Sequence, residues 1–160
     1  MRHLCSLLIS CFVAQWAAAQ VEFVRVWPGY RDAESFASIS EFFGGAEASR
    51  GRTILRTDPS ERGGFYWLVR VRNAGARFEA VLEIEWIAPG EIDPRRQRFP
   101  VTIESGSRVL LAGLTGADWP DAKARPNAWQ VRLLDAAGQP VATEESFLWA
   151  APASPVADTP

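Results

Sequence analysis

The stretch FEAVLEIEW, residues 78–86, decides the fold. Its apolar residues fall at every second position, and Glu79, Glu83 and Glu85 lie between them. Because successive side chains of a β-strand point to opposite faces, this alternation is typical of a strand with one buried face. The sequence therefore predicts that the three glutamates form the solvated face of this strand.

Strand-like segments recur along the chain at roughly regular spacing. They are VEFVRVW (21–27), TILR (53–56), FYWLVRVR (65–72), FPVTIE (99–104), RVLLAGL (108–114), WQVRLL (129–134) and VATEESFLW (141–149). Short polar loops join several of them. In the loop DAAG, Asp135 and Gly138 suit a type I turn closed by a left-handed residue. About eight strands at this spacing predict an all-β sandwich or barrel.

One segment, DAESFASISEFFGG (32–45), departs from the strand pattern. It places Phe36, Ile39 and Phe43 at helical spacing, and Asp32 can cap its start. We therefore expect a short helix over residues 33–43, in the connection between the first two strands. An amphipathic stripe usually packs into the core, which favours a helix that closes one end of the sandwich. An apolar ridge offered to a partner is the alternative.

The last hairpin carries a family resemblance. The stretch AWQVRLLDAAGQPVATEESFLW (128–149) resembles the final hairpin of immunoglobulin-like or fibronectin-type-III-like domains in bacterial envelope proteins. The resemblance implies an antiparallel β-sandwich of about seven to eight strands. It implies no functional site, because such sandwiches carry many unrelated functions.

The two ends of the chain differ from its middle. Residues 1–19 begin with a positive charge, continue with an apolar run and end in small residues, which is typical of a secretory signal peptide. We expect an exported domain over residues 20–150, periplasmic or secreted, with no transmembrane segment after cleavage. A lipid-modified Cys11 is the weaker alternative, because the apolar run continues past it. The Ala- and Pro-rich residues 151–160 predict a disordered tail.

The reactive residues exclude several classes of function. His3, Cys5 and Cys11 all lie in the predicted signal peptide, so the exported chain has neither histidine nor cysteine. This composition excludes a Ser-His-Asp triad, a cysteine nucleophile and zinc bound by histidine or thiolate. No cofactor-binding motif occurs, and we expect no cofactor.

The charge balance gives no sign of nucleic-acid binding. The chain carries 17 basic and 19 acidic residues, a net charge of −2. A nucleic-acid-binding protein usually shows a basic excess. The cluster Arg95, Arg96 and Arg98 is interpreted as a solvated loop flank.

Carboxylate pairs leave two chemistries open. Asp118 with Asp121, and Asp58 with Glu61, could serve a glycosidase-like reaction, which needs only two acids at a suitable distance. They could also bind Ca²⁺, although neither pair has the spacing of the twelve-residue calcium loop. Both pairs adjoin proline in predicted loops, where aspartate is ordinary turn chemistry.

The tryptophans are the remaining functional signal. Four lie on or next to the apolar faces or ends of predicted strands and are interpreted as core: Trp67, Trp86, Trp129 and Trp149. Trp119 lies in the loop ADWPD, and Trp27 ends the first strand with Tyr30 nearby. Loop tryptophans can stack on a sugar or anchor a protein interface. The alternative, favoured for Trp119, is a lid packed over the end of the sandwich.

These observations lead to one interpretation of function. We expect a non-catalytic exported module that binds another protein in the cell envelope. A carbohydrate-binding module is the alternative, and a carboxylate enzyme is the third hypothesis. The candidate partner-binding residues are Trp119, Asp118, Asp121, Trp27 and Tyr30.

Overall fold

The fold is a sandwich of two four-stranded sheets, and the computed structural model describes residues 20–36 and 52–150. The strands are β1 (Val21–Arg31), β2 (Arg52–Arg56), β3 (Gly64–Asn73), β4 (Phe78–Ile87), β5 (Arg95–Ile103), β6 (Gly106–Thr115), β7 (Ala128–Leu134) and β8 (Pro140–Glu145). The first sheet has the order β1-β3-β6-β2, and the second has the order β5-β4-β7-β8. The predicted all-β sandwich is confirmed.

All neighbouring strands pair antiparallel except β2, which runs parallel to β6 at one edge of the first sheet. Strand β4 lies between β5 and β7, and β3 lies between β1 and β6. The two central strands of each sheet therefore have both edges hydrogen-bonded. They carry most of the buried residues.

The core is built from the alternation that the sequence displays. Phe65, Trp67, Val69 and Val71 of β3 are each at most 1% exposed, and they face the apolar side of β4 across the sandwich. Burial of each such side chain stabilises the fold by about 1.5–3 kcal/mol. An aromatic column runs through this core, since the ring of Phe65 lies 5.0 Å from that of Trp67.

The predicted turn at DAAG forms as expected. The N–H of Gly138 donates to the carbonyl of Asp135 at 2.9 Å, and Gly138 adopts φ of 75°. The Asp135 carboxylate also accepts the N–H of Ala137 at 2.9 Å. A left-handed residue is required here, and glycine adopts that conformation without steric cost.

Most of the predicted helix over residues 33–43 lies outside the described residues. At its start, Glu34–Phe36 forms a 3-10 turn, which Asp32 caps by accepting the N–H of Ser35 at 2.8 Å. The Phe36 ring lies 4.9 Å from the ring of Tyr66, which points away from the core on the outer face of the first sheet. A Cβ at Gly113 would lie 2.2 Å from the Tyr66 ring, so glycine makes room for the tyrosine.

The prediction that the last strand runs to Trp149 is wrong. Strand β8 ends at Glu145, and Phe147–Ala150 forms one helical turn, α1. Ser146 makes the break, because its hydroxyl accepts the N–H of Trp129 at 2.9 Å while its carbonyl accepts the N–H of Trp149 at 3.0 Å. Phe147 is left 86% exposed.

Candidate functional site

Trp119 is packed rather than displayed. It is 6% exposed and belongs to the core, and its ring lies 4.9 Å from that of Phe65 at the end of the aromatic column. The N–H of its indole is buried without a hydrogen-bond acceptor. Packing therefore holds this ring in place, and the arrangement is that of a lid over the end of the sandwich.

The two acids beside Trp119 are exposed. Asp118 and Asp121 line a cleft of about 390 Å³ together with Arg95. One carboxylate oxygen of Asp121 accepts the N–H of Lys123 at 2.8 Å. Asp121 thus takes part in the local turn, as aspartate commonly does in loops.

In the other acid pair, Asp58 also forms hydrogen bonds within its own loop. The Asp58 carboxylate accepts the hydroxyl of Ser60 at 2.6 Å and its N–H at 2.9 Å. These hydrogen bonds lower the pKa of the Asp58 carboxyl below its usual value. A general acid needs a raised pKa, whereas the hydrogen bonds at Asp58 lower the pKa of its carboxyl.

Trp27 and Tyr30 lie on opposite faces of β1. Tyr30 pairs with Phe65 and packs against the core, whereas Trp27 pairs with Leu68 on the outer face. Trp27 is 55% exposed. The five candidate residues are therefore not brought together into one site, and Trp27 is the displayed aromatic among them.

A β-bulge shapes the surface around Trp27. The register of β1 against β3 shifts between Phe23 and Arg25, so Val24 is an extra residue in the strand. Phe23 and Val26 face the core, which leaves Val24 and Arg25 both on the outer side. Bulges are common at sheet edges and next to functional sites, where they redirect a side chain.

Arg25 lies over Trp27, two residues further along the same face of β1. The centre of its guanidinium lies 3.5 Å from the centroid of the indole ring. Arg25 also lies directly opposite Arg70 of β3 in the register. Two like charges opposite each other across antiparallel strands destabilise a sheet. We call the surface formed by Val24, Arg25, Trp27, Leu68 and Arg70 the Arg25 patch.

No carboxylate balances the two arginines of the Arg25 patch. Within residues 20–36 and 52–150, no hydrogen bond or ion pair from the side chain of Arg25 or Arg70 occurs. The same cross-strand row continues through Val109 to Arg52, which is exposed and also unpaired among the described residues. The uncharged Val109 therefore separates Arg52 from the adjacent pair Arg25 and Arg70.

The outer face of the second sheet has the opposite arrangement. Glu83 lies between Arg98 of β5 and Arg132 of β7 in the register. Its carboxylate accepts the Nε–H of Arg98 at 2.6 Å and the Nε–H of Arg132 at 3.0 Å. Glu85 accepts the Nε–H of Arg96 at 2.6 Å and a further N–H of Arg132 at 2.9 Å.

Two sequence predictions about this face are wrong. Glu83 is 1% exposed and Glu85 is 7% exposed, so only Glu79 of the three glutamates is solvated. The arginine cluster is not a loop flank, since Arg96 and Arg98 are part of β5 and cover the two buried carboxylates. Burial is possible because each carboxylate has charged hydrogen-bond partners.

The surroundings of Glu83 keep its carboxyl ionised. Burial raises the pKa of Glu83, but hydrogen bonds from Arg98 and Arg132, together with the charges of both arginines, lower it by more. The net result is a pKa below the usual value. A lowered pKa in the folded state means that ionised Glu83 stabilises the fold.

Arg25 and Arg70 are not among the candidate residues that the sequence predicts. Arg70 lies on the polar side of the FYWLVRVR alternation, which gave a local signal. The like-charge pair could be found only from the register between β1 and β3, which the bulge displaces by one residue.

Comparison with protein-family models, curated proteins and solved structures gives no match. In the part of the chain that the structure describes, no group of three or more acidic, histidine or cysteine side chains could hold a metal ion. No helix among these residues has the length and apolar character needed to cross a membrane.

Proposed function

We propose that the protein is a non-catalytic, exported binding module that contacts another protein through the Arg25 patch. Export rests on the signal peptide predicted over residues 1–19, which lie outside the described residues. The observation that carries the proposal is the exposed Trp27, stacked by Arg25 beside a like-charge pair. Trp and Arg are the residue types most enriched among the energetically dominant residues of interfaces.

We further propose an immunoglobulin-like or fibronectin-type-III-like type for the sandwich. The strand order supports it, since β1, β3 and β6 form one sheet while β4, β7 and β8 form the other. If β2 is counted as an addition, these are the first, second and fifth strands against the third, sixth and seventh. Immunoglobulin-type sandwiches divide these six strands in the same way. The fourth strand, β5, pairs with β4 in the second sheet, whereas the constant type has its fourth strand in the first sheet; β5 thus resembles a strand that the variable type adds to the sheet of the third strand.

An unfavourable local arrangement supports a binding role for this patch. Natural sequences usually agree with local rules, and departures concentrate at functional sites. The second sheet places a glutamate beside each of its arginines Arg96, Arg98 and Arg132. The Arg25 patch departs from that rule, on an edge strand that a partner can approach.

Carbohydrate binding is the alternative, and the exposed ring of Trp27 favours it. A sugar would stack on the face of the indole. The Arg25 guanidinium already lies over that ring at 3.5 Å, so a sugar would have to displace it or use the other face. An Arg–Trp stack fits a protein interface better, because both side chains can contact the partner together.

Photo-crosslinking from within the patch tests the proposal. The full chain, expressed in the producing cell with its natural N-terminus, would carry p-benzoylphenylalanine in place of Val24, which is 42% exposed. We expect a discrete protein adduct that disappears when Trp27→Ala is added. The matched control carries the crosslinker at Ile92, which is 88% exposed in the loop between β4 and β5.

The outcomes of this experiment separate the hypotheses. A protease-sensitive adduct from position 24, absent from position 92, supports protein binding. Retention of a glycan with no protein adduct would move carbohydrate binding to first place. Equal adducts from both positions, or none from position 24, would show that the Arg25 patch is not an interface.

A further inference from the structure

We infer that the partner of the Arg25 patch is an acidic protein segment that places a carboxylate between Arg25 and Arg70 and an apolar side chain on Leu68, beside Trp27. This inference rests on the proposed function and deepens it. It names the chemistry of the bound segment, which the exposure of Trp27 alone does not.

The charge of the patch calls for an anion. Arg25 and Arg70 lie opposite each other, so their Cβ atoms are about 5 Å apart. Each guanidinium carries five N–H donors, and none of them reaches an acceptor in residues 20–36 and 52–150. A carboxylate between the two guanidiniums would relieve their repulsion and accept charged hydrogen bonds from both.

The same molecule already contains the arrangement that we infer for the complex. On the second sheet, one carboxylate of Glu83 accepts from Arg98 on one neighbouring strand and from Arg132 on the other. On the first sheet, Glu22 in the next row pairs with Arg72 at 3.1 Å, and no described acid pairs with Arg25 or Arg70. A carboxylate of the partner would occupy, between Arg25 and Arg70, the place that the Glu83 carboxylate has between Arg98 and Arg132.

The apolar part of the patch defines a second requirement. Trp27 pairs with Leu68 in the row next to that of Arg25 and Arg70, two residues further along each strand. Two residues of extended chain span about 7 Å. A ligand must therefore present a carboxylate and an apolar group about 7 Å apart, as side chains at i and i+2 of an extended peptide do.

This spacing favours a protein over other anionic partners. An anionic bilayer presents its phosphates at the surface and its acyl chains at greater depth, whereas both parts of the patch lie on one sheet face. An anionic polysaccharide offers a sugar face but no aliphatic side chain for Leu68. An extended peptide with an acidic residue at i and an apolar residue at i+2 offers both groups on one side.

A pair of defined peptides tests the inference. The probes are acetylated, amidated peptides of sequence Ser-Glu-Ser-Leu-Ser-Glu-Ser and Ser-Gln-Ser-Leu-Ser-Gln-Ser, which place the acidic or neutral residues and the leucine on one face. The full chain, labelled with ¹⁵N, is titrated with each peptide while the Arg Nε and Trp indole signals are followed. We expect the acidic peptide to shift the signals of Arg25, Arg70 and Trp27, and to bind about tenfold or more tightly than the neutral peptide.

Two variants locate the effect. Arg70→Gln is expected to weaken binding of the acidic peptide by about tenfold or more, because it removes one of the two charged donors. Arg52→Gln makes the same charge change on β2, two strands away, and is expected to alter binding by less than about twofold. Urea unfolding of each variant confirms that both remain folded.

Several results would overturn the inference. They are equal binding of the two peptides, equal weakening by the two variants, or no signal shift at millimolar peptide. Binding of vesicles that contain anionic phosphatidylglycerol, or of an anionic polysaccharide, without binding of the acidic peptide would assign the patch to that ligand instead. If the Val24 crosslink forms while the peptides bind equally, protein binding stands and only the carboxylate is wrong. If that crosslink is absent, the proposed function itself fails.

Discussion

The outer faces of the two sheets use the same residue type in opposite ways. On the second sheet, Arg98 and Arg132 flank Glu83, and the carboxylate is 1% exposed beneath them. On the first sheet, Arg25 lies opposite Arg70 with no acid between them among the described residues. The next row of the first sheet does contain an ion pair, between Arg72 and Glu22 at 3.1 Å. The contrast therefore lies between the paired arginines around Glu83 and the one row of Arg25 and Arg70.

The difference separates arginines that stabilise the fold from arginines that are available to a partner. Charged hydrogen bonds to a buried carboxylate contribute about 1.5–3 kcal/mol each. Two like charges directly opposite each other on neighbouring strands lower the stability of the fold. We therefore expect substitutions on the second sheet to change stability, and substitutions in the Arg25 patch to change binding.

The largest effect is expected at Glu83. Glu83→Ala leaves Arg98 and Arg132 without their shared carboxylate and should lower the free energy of unfolding by about 2–4 kcal/mol. Urea unfolding measures the loss. Glu79→Ala is the matched control on the same face of β4, where the carboxylate is exposed and accepts the hydroxyl of Thr102, and it should cost less than about 0.5 kcal/mol. Equal losses would show that the buried carboxylate of Glu83 contributes no more to stability than the exposed carboxylate of Glu79.

The second effect is a pH dependence of the same network. The folded-state pKa of Glu83 is lowered, so its stabilisation is fully present above the pKa of the unfolded chain and is lost as pH falls through the lower folded value. The unfolding free energies of the wild type and Glu83→Gln should therefore converge in acid and differ at neutral pH. A difference that stays constant with pH would contradict ionisation of Glu83 as the source.

The periodic and local features of this fold could be predicted from the sequence. Alternation in FEAVLEIEW and FYWLVRVR identified strands and their apolar faces, and Asp135 with Gly138 identified a turn. Those signals depend on neighbours within a few residues. The end of β8 was missed because Ser146 breaks the strand through contacts with Trp129, 17 residues away.

The charged faces could not be predicted because they depend on register. Glu83 is buried only because Arg98 and Arg132, 15 and 49 residues away, lie opposite it. The strand pattern therefore predicted correctly that Glu83 lies on the outer face of its sheet, but predicted wrongly that it is exposed to solvent. At the candidate site, Trp27 was identified by its residue type, but the bulge that turns Trp27 and Arg25 to the outer face and sets Arg25 opposite Arg70 is not revealed by alternation.

The third effect is a gain of stability in the Arg25 patch. Arg70→Glu places an acid opposite Arg25 and should raise the free energy of unfolding by about 0.3–1 kcal/mol. Arg98→Glu, the same change next to Glu83, should lower it, because it adds a negative charge beside a buried carboxylate. Urea unfolding of both variants measures the contrast. A loss of stability in both would show that Arg70 supports the fold through a contact other than charge.

The smallest effect on stability is expected at Trp27. Its ring is 55% exposed on an edge strand, so Trp27→Ala should change the free energy of unfolding by no more than about 0.5 kcal/mol. The same variant should abolish the crosslink from Val24, because an exposed tryptophan beside an arginine can anchor an interface. A stability loss above about 2 kcal/mol would instead make Trp27 part of the packing and leave the Arg25 patch without its anchor.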